Sequence, residues 1–481
     1  MKRIGWTALF FLAACSSAPQ YDLVLSGGRV IDPATGLDAV RNVGILGGSI
    51  AAVSTEPLAG RRVVDVGGLV VAPGFIDLHQ HQQDLAAYRL KAQDGVTSAL
   101  EMESGVPDLP AFLEARRGGT PINYGATVSQ EAARVRAWGL ALDTSQMGPA
   151  AAIDDPASGP ATDDPPTAAQ LERLIGVLRT GLDAGALGVG MGLEYTPGAT
   201  FEEVLQMFRL AAEYGRGVYV HLRGESGGSS LPAVEEMIAA SDSTGAPVHV
   251  VHINSSCLAE AFDCLELIAK ARAAGQDVTT EAYPYGAGMT SIASALFNPG
   301  WRERRGIDYS DLELPATGER LTKARFDELH DAAKPEYVLI HMNPDSLVDA
   351  IVASDLTMIA SDGLPSHPRG AGSYARVLRR QVRELGLMSL PDAIRQMSLL
   401  PAMRLESATA AAGRKGRVQE GADADLVVFD PATVTDRSTY AAPQLPSEGF
   451  RFVIVAGTPV VDEGRLVETA LPGRAIVADP R

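Results

Sequence analysis

Cysteine, basic charge and long apolar runs are all scarce in this chain of 481 residues. Its three cysteines include no Cys-x-x-Cys pair, which excludes the metal and redox sites built on that motif. Lysine and arginine total 41 against 59 acidic residues, and the net charge is −18. Such a chain does not present a broad face that neutralises phosphates, so we expect no nucleic-acid partner.

The sequence contains no apolar run long enough to span a bilayer. Its first fifteen residues combine a charged start, Lys2 and Arg3, with a short apolar stretch and the segment LAAC that ends at Cys15. This stretch resembles a bacterial lipoprotein signal, which implies cleavage before Cys15, lipidation of Cys15 and export to the periplasmic face of a membrane. The alternative is an ordinary secretory signal in which Cys15 has no role. We assign residues 1–15 as signal and 16–21 as tether.

The two remaining cysteines are Cys257 and Cys264. Export permits a disulfide. Their spacing suits a bond between a loop and a helix poorly, so we expect two free, buried thiols.

The chain is predicted to be an α/β protein with two domains. Its length is large for a single core, and 46% hydrophobic residues is a globular composition. Short apolar strands separated by glycine-rich turns occupy residues 22–72 and recur in 416–481. We therefore expect both chain ends to build one small β-sandwich domain. Between them, residues 73–415 alternate strands and helices, which is the pattern of parallel βα units.

The alternating region predicts a (β/α)8 TIM-like barrel inserted into the β-domain. Nine strand candidates are close to the eight strands of that fold. They are 74–78, 97–102, 122–128, 186–190, 217–221, 248–252, 277–282, 337–341 and 356–360. Residues 296–335 are polar and irregular, and we expect them to interrupt the barrel as a lid. The alternative is a disordered insertion.

Polar side chains stand at the carboxyl ends of several of these strands, where barrel enzymes place their active sites. The segment GFIDLHQH ends in His79 and His81. Residues i and i+2 of a strand point to the same side, so both imidazoles face one place. His221, His252 and Asp362 end three further strands. We expect these residues to form one site.

Four histidines and a carboxylate suit zinc or a similar divalent ion, one or two per chain. Such an ion lowers the pKa of its bound water toward about 7, and Asp362 is the candidate to move that water's proton to a departing amine. The expected chemistry is hydrolysis of an amide-like bond. Strand alternation puts His249 on the face opposite His252, so we expect His249 to be a core or helix-packed histidine.

These motifs together resemble the amidohydrolase superfamily. They are VAPGFIDLHQH (71–81), His221, His252, SDG (361–363) and GADADLVVF (421–429). Finer motifs are similar to the N-acyl-D-amino-acid deacylase branch, especially its D-aminoacylase and D-glutamate deacylase-like members. They are GLEY (192–195), HLR (221–223), EAYPY (281–285) and HPR (367–369). The resemblance implies a metal-dependent barrel hydrolase of N-acyl-D-amino acids, and the D chirality comes from it alone.

Two positions depart from that branch. Its members carry a cysteine metal ligand where this chain has Ser104, just after Glu101 and Glu103. We expect a carboxylate to replace the thiolate and favour Glu103, which is nearer the strand end. The alternative is that neither glutamate is a ligand. No lysine stands at a strand end, so a carbamylated-lysine bridge has no candidate. Asn254 stands where the branch commonly has a lysine near the substrate.

The substrate of this branch carries an α-carboxylate, which arginine binds in a bidentate manner. Arg369 and Arg223 are candidates, and Arg369 matches the family contact better. The further candidates for substrate binding are Tyr195, Asn254, Tyr283 and Ser291. Arg302, Arg304 or Arg305 of the insertion would reach an acidic substrate side chain if the lid closes. The alternative for each is a solvated surface position.

Three functions remain open. The first is a lipid-anchored hydrolase that releases a D-amino acid, D-glutamate among the candidates, from its N-acyl form. The second is the same fold acting on a cyclic amide, as dihydroorotase and hydantoinase do, or on a D-dipeptide. The third is a lipid-anchored binding protein with a degenerate metal site. Asp362 beside four histidines argues against the third, because binding requires no general base. The oligomeric state is left open.

Overall fold

The computed structural model of the protein describes residues 21–142, 159–224, 228–332 and 336–481. Within these residues, no helix is long and apolar enough to cross a membrane. The strands in chain order are β1 (Tyr21–Asp32), β2 (Leu37–Leu46), β3 (Ser49–Ser54), β4 (Gly60–Asp65), β5 (Val70–Pro73), β6 (Phe75–Asp77), β7 (Val96–Val106), β8 (Asn123–Ser129), β9 (Gly188–Gly192), β10 (Gly217–His221), β11 (Val248–Val250), β12 (Val278–Ala282), β13 (Ala287–Ser291), β14 (Leu312–Leu314), β15 (Glu319–Arg320), β16 (Tyr337–His341), β17 (Thr357–Ile359), β18 (Leu426–Phe429), β19 (Phe450–Val455), β20 (Thr458–Asp462) and β21 (Arg465–Leu466).

The helices lie mainly between successive parallel strands. The α-helices are Leu85–Gln93, Leu109–Glu114, Gln130–Ala137, Gly159–Asp163, Ala168–Asp183, Phe201–Glu213, Leu231–Thr244, Ile253–Ser256, Ala261–Ala273, Trp301–Arg305, Lys323–His330, Asp345–Val352, Arg369–Arg376, Leu390–Ile394 and Leu400–Leu405. Two π-helical stretches, Val377–Glu384 and Arg395–Leu399, continue the helices that precede them.

Eight parallel strands form the barrel, in the order β6-β7-β8-β9-β10-β11-β12-β17. The residues of these strands are almost all buried, because helices cover one face and the barrel interior fills the other. The predicted (β/α)8 barrel is confirmed. The strand candidate at 337–341 is wrong as a barrel member, because β16 pairs with β13 and β14 in another sheet.

Both chain ends build the second domain, as predicted. Strands β1 to β5 and β18 to β21 form one nine-stranded sheet, in which β5 pairs with β18. The chain passes from β5 to β6 through Gly74 alone. A Cβ at Gly74 would lie 2.2 Å from Thr97 Oγ1, so only glycine lets the chain enter the barrel so close to β7.

The insertion is an ordered subdomain, so the expectation of an irregular segment is wrong. Strands β13 to β16 form a four-stranded sheet in the order β13-β16-β14-β15. This sheet and the short helices beside it bury a separate hydrophobic cluster that includes Phe297, Trp301 and Phe326. Phe326 is distant in sequence from Phe297 and Trp301, and the fold of the insertion packs its ring against both.

Cys257 and Cys264 form a disulfide, with their Cα atoms 6.6 Å apart, so the expectation of free thiols is wrong. A single 3-10 turn, Leu258–Glu260, follows Cys257 and returns the chain toward the first turn of the helix Ala261–Ala273. Cys264 on that helix therefore faces Cys257. The bond ties the segment after β11 to the helix that leads to β12.

Asp77 joins the first and last strands of the barrel. Its Oδ1 accepts hydrogen bonds from the backbone N of His79 and of Ser361, and its Oδ2 accepts one from Ser361 Oγ at 2.6 Å. Lys91 Nζ lies 2.9 Å from the same Oδ2, and both side chains are fully buried. The hydrogen bonds to Ser361 hold the end of β6 against the segment that follows β17, and Lys91 neutralises the carboxylate that accepts them.

We expect Lys91→Met to destabilise the protein by about 3–5 kcal/mol, because it leaves the buried Asp77 carboxylate without its cation. The free energy of unfolding in urea measures the effect. Lys270→Met is the matched control, since Lys270 pairs with Glu266 in solvent, and it should leave the unfolding midpoint unchanged. Equal midpoints for the two variants would contradict this role of Lys91.

Candidate metal centre

Six buried side chains meet at the carboxyl ends of the barrel strands. They are His79, His81, Glu103, His221, His252 and Asp362. His79 and His81 follow β6, Glu103 lies near the end of β7, and His221 ends β10. The structure thus brings together all six residues for which we predict metal binding, at the face where barrel enzymes bind substrates. Their role as ligands stays a prediction.

Glu103 stands between two pairs of histidines. Its Oε2 lies 3.0 Å from Nε2 of both His79 and His81. Its Oε1 lies 2.7 Å from His221 Nδ1 and 3.0 Å from His252 Nε2. One carboxylate that offers a different oxygen to each pair has the arrangement of a ligand bridging two ions.

Asp362 completes the first pair. Its Oδ1 lies 3.2 Å from His81 Nε2 and 3.5 Å from His79 Nε2. Its Oδ2 lies 2.9 Å from Arg369 Nη1. One oxygen of Asp362 therefore faces the cluster while a guanidinium holds the other.

The outer ring nitrogens show why this cluster fits a cation. His79 Nδ1 lies 2.6 Å from Glu281 Oε1, and His81 Nδ1 lies 2.9 Å from Glu101 Oε2. A proton on each Nδ1 satisfies these carboxylates and leaves a lone pair on each Nε2. The two Nε2 atoms are only 3.1 Å apart. Lone pairs at that distance repel unless a positive ion lies against them, so the donor set fits a divalent metal.

The outer contacts were missed by sequence reasoning. Glu281 Oε2 lies 3.0 Å from His249 Nε2, and His249 Nδ1 lies 2.8 Å from Thr279 Oγ1. His252 Nδ1 lies 3.0 Å from Ser256 Oγ. A charged residue within the almost entirely buried strand β12 is what marks Glu281. These partners fix the orientation of the ligand rings.

Glu101 and Glu103 face the same side of β7, two residues apart, but occupy different positions. Glu103 lies among the converging atoms, whereas Glu101 contacts the outer nitrogen of His81. The preference for Glu103 over Glu101 thus agrees with their positions.

His249 and His252 do not lie on opposite faces, so that expectation is wrong. Strand β11 ends at Val250, and His252 has a left-handed backbone with φ 30°. Strand alternation no longer applies beyond Val250, and the turn directs the ring of His252 into the cluster. His249 is a core histidine as expected, inside the barrel beneath the metal centre.

Both central carboxyl groups stay ionised. Burial raises the pKa of Glu103, but His79, His221 and His252 outweigh burial and hold that pKa well below its usual range. Burial of Asp362 is likewise outweighed, chiefly by the guanidinium of Arg369, so the Asp362 pKa is lowered. The carboxylate form is the one that binds a metal and accepts a proton.

A cavity opens directly above the cluster. Tyr195, Tyr283 and Ser291 line it together with His221 and Asp362. The guanidinium of Arg369 lies 4.7 Å from the centre of the Tyr283 ring. These four predicted substrate contacts are therefore at the site.

The other two predicted substrate residues are engaged differently. Arg223 makes two hydrogen bonds of 3.0 Å with Glu236. Asn254 is buried. Its Nδ2 donates to the carbonyl oxygen of Tyr283, and its Oδ1 accepts from the backbone N–H of Tyr283. Asn254 supports the cavity wall, and Arg223 pairs away from the cluster.

The barrel and the donor set at its strand ends are those of a hydrolase built around a divalent-metal site. The chain belongs to the amidohydrolase family, whose sequence profile matches residues 62–461.

Two relatives and one solved structure are similar to the chain over almost its full length. The N-acyl-D-glutamate deacylase of Alcaligenes xylosoxydans xylosoxydans is 33% identical over 500 residues, which cover 96% of this chain and 97% of the relative. The D-aminoacylase of the same organism is 32% identical, covering 93% and 96%. The crystal structure of N-acyl-D-glutamate deacylase from Bordetella bronchiseptica, complexed with zinc and a phosphonate mimic of the tetrahedral intermediate, superposes with a TM-score of 0.78. It is 28% identical and covers 96% of this chain and 100% of that chain.

We expect Glu281→Gln to weaken zinc binding by about 10- to 100-fold, because a neutral amide holds the His79 ring less firmly and makes it a poorer ligand. Competition with a chromophoric chelator measures the affinity of the metal-depleted protein. Glu236→Gln is the matched control, since Glu236 pairs with Arg223 away from the cluster, and it should bind zinc as the wild type does. An unchanged affinity in Glu281→Gln would exclude this supporting role.

Proposed function

We propose that this protein hydrolyses the amide bond of N-acyl-D-amino acids and releases a carboxylate and a free D-amino acid. The observation that carries the proposal is the position of Asp362. One carboxylate oxygen of Asp362 lies 3.2 Å from His81 Nε2 in the histidine cluster, and the same side chain lines the cavity. The two full-length relatives are both named for this chemistry.

The residues that would hold the metal are His79, His81, Glu103, His221, His252 and Asp362, which suit one zinc ion or two. When bound, the ion supplies a Lewis acid that polarises the amide carbonyl and makes water available as a nucleophile near neutral pH.

Asp362 moves the proton. Its carboxylate accepts a hydrogen bond from the attacking water and takes the proton as the oxygen adds to the carbonyl carbon. It then gives that proton to the nitrogen as the C–N bond breaks, so the amine leaves neutral. Arg369 holds Asp362 in place by its 2.9 Å contact.

Neutral phenols line the cavity, and the guanidinium of Arg369 lies next to two lining residues, Tyr283 and Asp362. Burial raises the pKa of Tyr283 to about 12 and also raises that of Tyr195, so both phenols donate hydrogen bonds at neutral pH. Arg369 is almost fully buried, and its Nε has no hydrogen-bond partner in the part of the chain that the structure describes. A buried N–H donor without a hydrogen-bond partner in the protein suits a carboxylate of the ligand. Arg369, Tyr283 and Ser291 are therefore our candidates for the substrate α-carboxylate.

The proposed reaction predicts release of amine from N-acetyl-D-amino acids, absent with the L-enantiomers and lost on chelation. Asp362→Asn should lower kcat by about 10²- to 10⁴-fold, because the proton acceptor is removed, while zinc remains bound through the four histidines and Glu103. Asp349→Asn, at a carboxylate that pairs with Arg380, is the control and should retain activity. Full activity in Asp362→Asn would exclude the mechanism. Ring opening without amine release would point to a cyclic amidase.

We propose further that the protein is exported and anchored by lipid on Cys15, at the periplasmic face of a bacterial membrane. Cys15 lies outside the described residues, and the support comes from the lipoprotein-like signal around it. The Cys257–Cys264 disulfide also supports export, because disulfides persist in oxidising compartments.

We expect Cys15→Ser to move the protein from the membrane fraction to the soluble fraction and to abolish incorporation of labelled palmitate, because the lipid attachment site is gone. Ser16→Ala is the control and should remain labelled and in the membrane. Palmitate labelling that persists in Cys15→Ser would refute the anchor.

A further inference from the structure

We propose that the cavity selects D-amino acids with uncharged side chains, because the arginine at its wall is already neutralised by a glutamate of the same chain. This inference rests on the proposed deacylase function and concerns Arg305 and Glu194.

Arg305 is the insertion arginine that lines the cavity. Its Nη2 lies 3.1 Å from Glu194 Oε2, and each side chain is only 5% exposed. Arg302 and Arg304, on the same helix, lie elsewhere. Arg302 pairs with Asp308 in solvent, and Arg304 donates to the backbone carbonyl of Pro299. Arg305 is therefore the insertion arginine positioned to meet a substrate side chain.

The two members of the pair are held from opposite sides. Trp301 anchors the helix of Arg305 through ring contacts with Phe297 and Phe326. Glu194 packs against Gly224, where a Cβ would lie 2.8 Å from Glu194 Oε2. A ligand that enters the cavity therefore meets Arg305 already paired with Glu194.

A substrate carboxylate placed beside Arg305 would meet a cation that already has an anion, Glu194, 3.1 Å away. The attraction to Arg305 is offset by repulsion from Glu194, and the ligand still loses its hydration on entering the cavity. An uncharged side chain incurs neither the repulsion nor the loss of ionic hydration. The pair therefore acts against acidic substrates relative to neutral ones of the same shape.

The remaining lining residues suit an uncharged group. Met289, Leu296, Ile340, Met342 and Leu364 contribute apolar surface to the cavity. This apolar surface adds to the preference for an uncharged side chain over an ion.

The comparisons do not assign a side chain to this protein. Relatives of 33% and 30% identity are named for D-glutamate and D-aspartate, whereas one of 32% identity is named for no particular side chain. The side-chain preference therefore has to come from this chain's own cavity.

The test compares N-acetyl-D-glutamine with N-acetyl-D-glutamate, two substrates that match in shape and differ in charge. We expect kcat/KM of the zinc-loaded full chain to favour D-glutamine by about tenfold or more, which is 1.4 kcal/mol. Glu194→Gln removes the repelling charge, so the ratio of D-glutamine to D-glutamate should fall by about tenfold. Arg305→Gln leaves Glu194 unopposed, so the ratio should rise.

Arg302→Gln is the matched control, since Arg302 is on the same helix and exposed, and it should not change the ratio. A wild-type preference for D-glutamate overturns the inference while the deacylase function stands. A ratio that Glu194→Gln and Arg305→Gln both leave unchanged overturns the assignment to this pair. If no N-acetyl-D-amino acid, D-methionine included, releases amine, the deacylase function itself fails.

Discussion

The ring nitrogens of four histidines surround the carboxylate of Glu103, and this concentration of electron lone pairs is the constraint on which the rest of the site depends. Four imidazole nitrogens and two carboxylates meet in one small, largely buried region at the floor of the cavity. Such a set is unfavourable without positive charge, so the surroundings have to orient each ring and keep each carboxylate ionised. Glu281 and Glu101 orient the rings of His79 and His81 by accepting a hydrogen bond from the Nδ1 atom of each ring. The need to orient the rings explains why the barrel interior beneath the metal centre contains the polar residues Glu101, His249 and Glu281.

The barrel supplies the second requirement, which is that residues far apart in sequence meet at one place. His79 follows the first barrel strand and Asp362 follows the last. Asp77 links these two strand ends through Ser361 and is neutralised by Lys91. The contacts that close the barrel therefore also bring His79 and Asp362 to the same place.

The small sheet of the insertion has a separate task. It adds no member to the histidine cluster but forms one wall of the cavity, through β13 and the helix Trp301–Arg305. The barrel supplies the residues of the histidine cluster, and the insertion supplies Arg305 at the cavity wall. The insertion also has its own hydrophobic cluster.

Local patterns in the sequence were enough to determine the barrel, its insertion into a β-domain made by both chain ends, and the histidines and Asp362 at strand ends. These features leave signals of period two, of strand–helix alternation or of a short motif. Tertiary structure alone decided the position of His252, because a left-handed turn after β11 overrides strand alternation. It also decided the Cys257–Cys264 bond, the order within the insertion and the pairing of Arg305 with Glu194. The insertion and the Arg305–Glu194 pair depend on where distant segments pack. The His252 turn and the Cys257–Cys264 bond depend on backbone turns that strand and helix periodicity does not record.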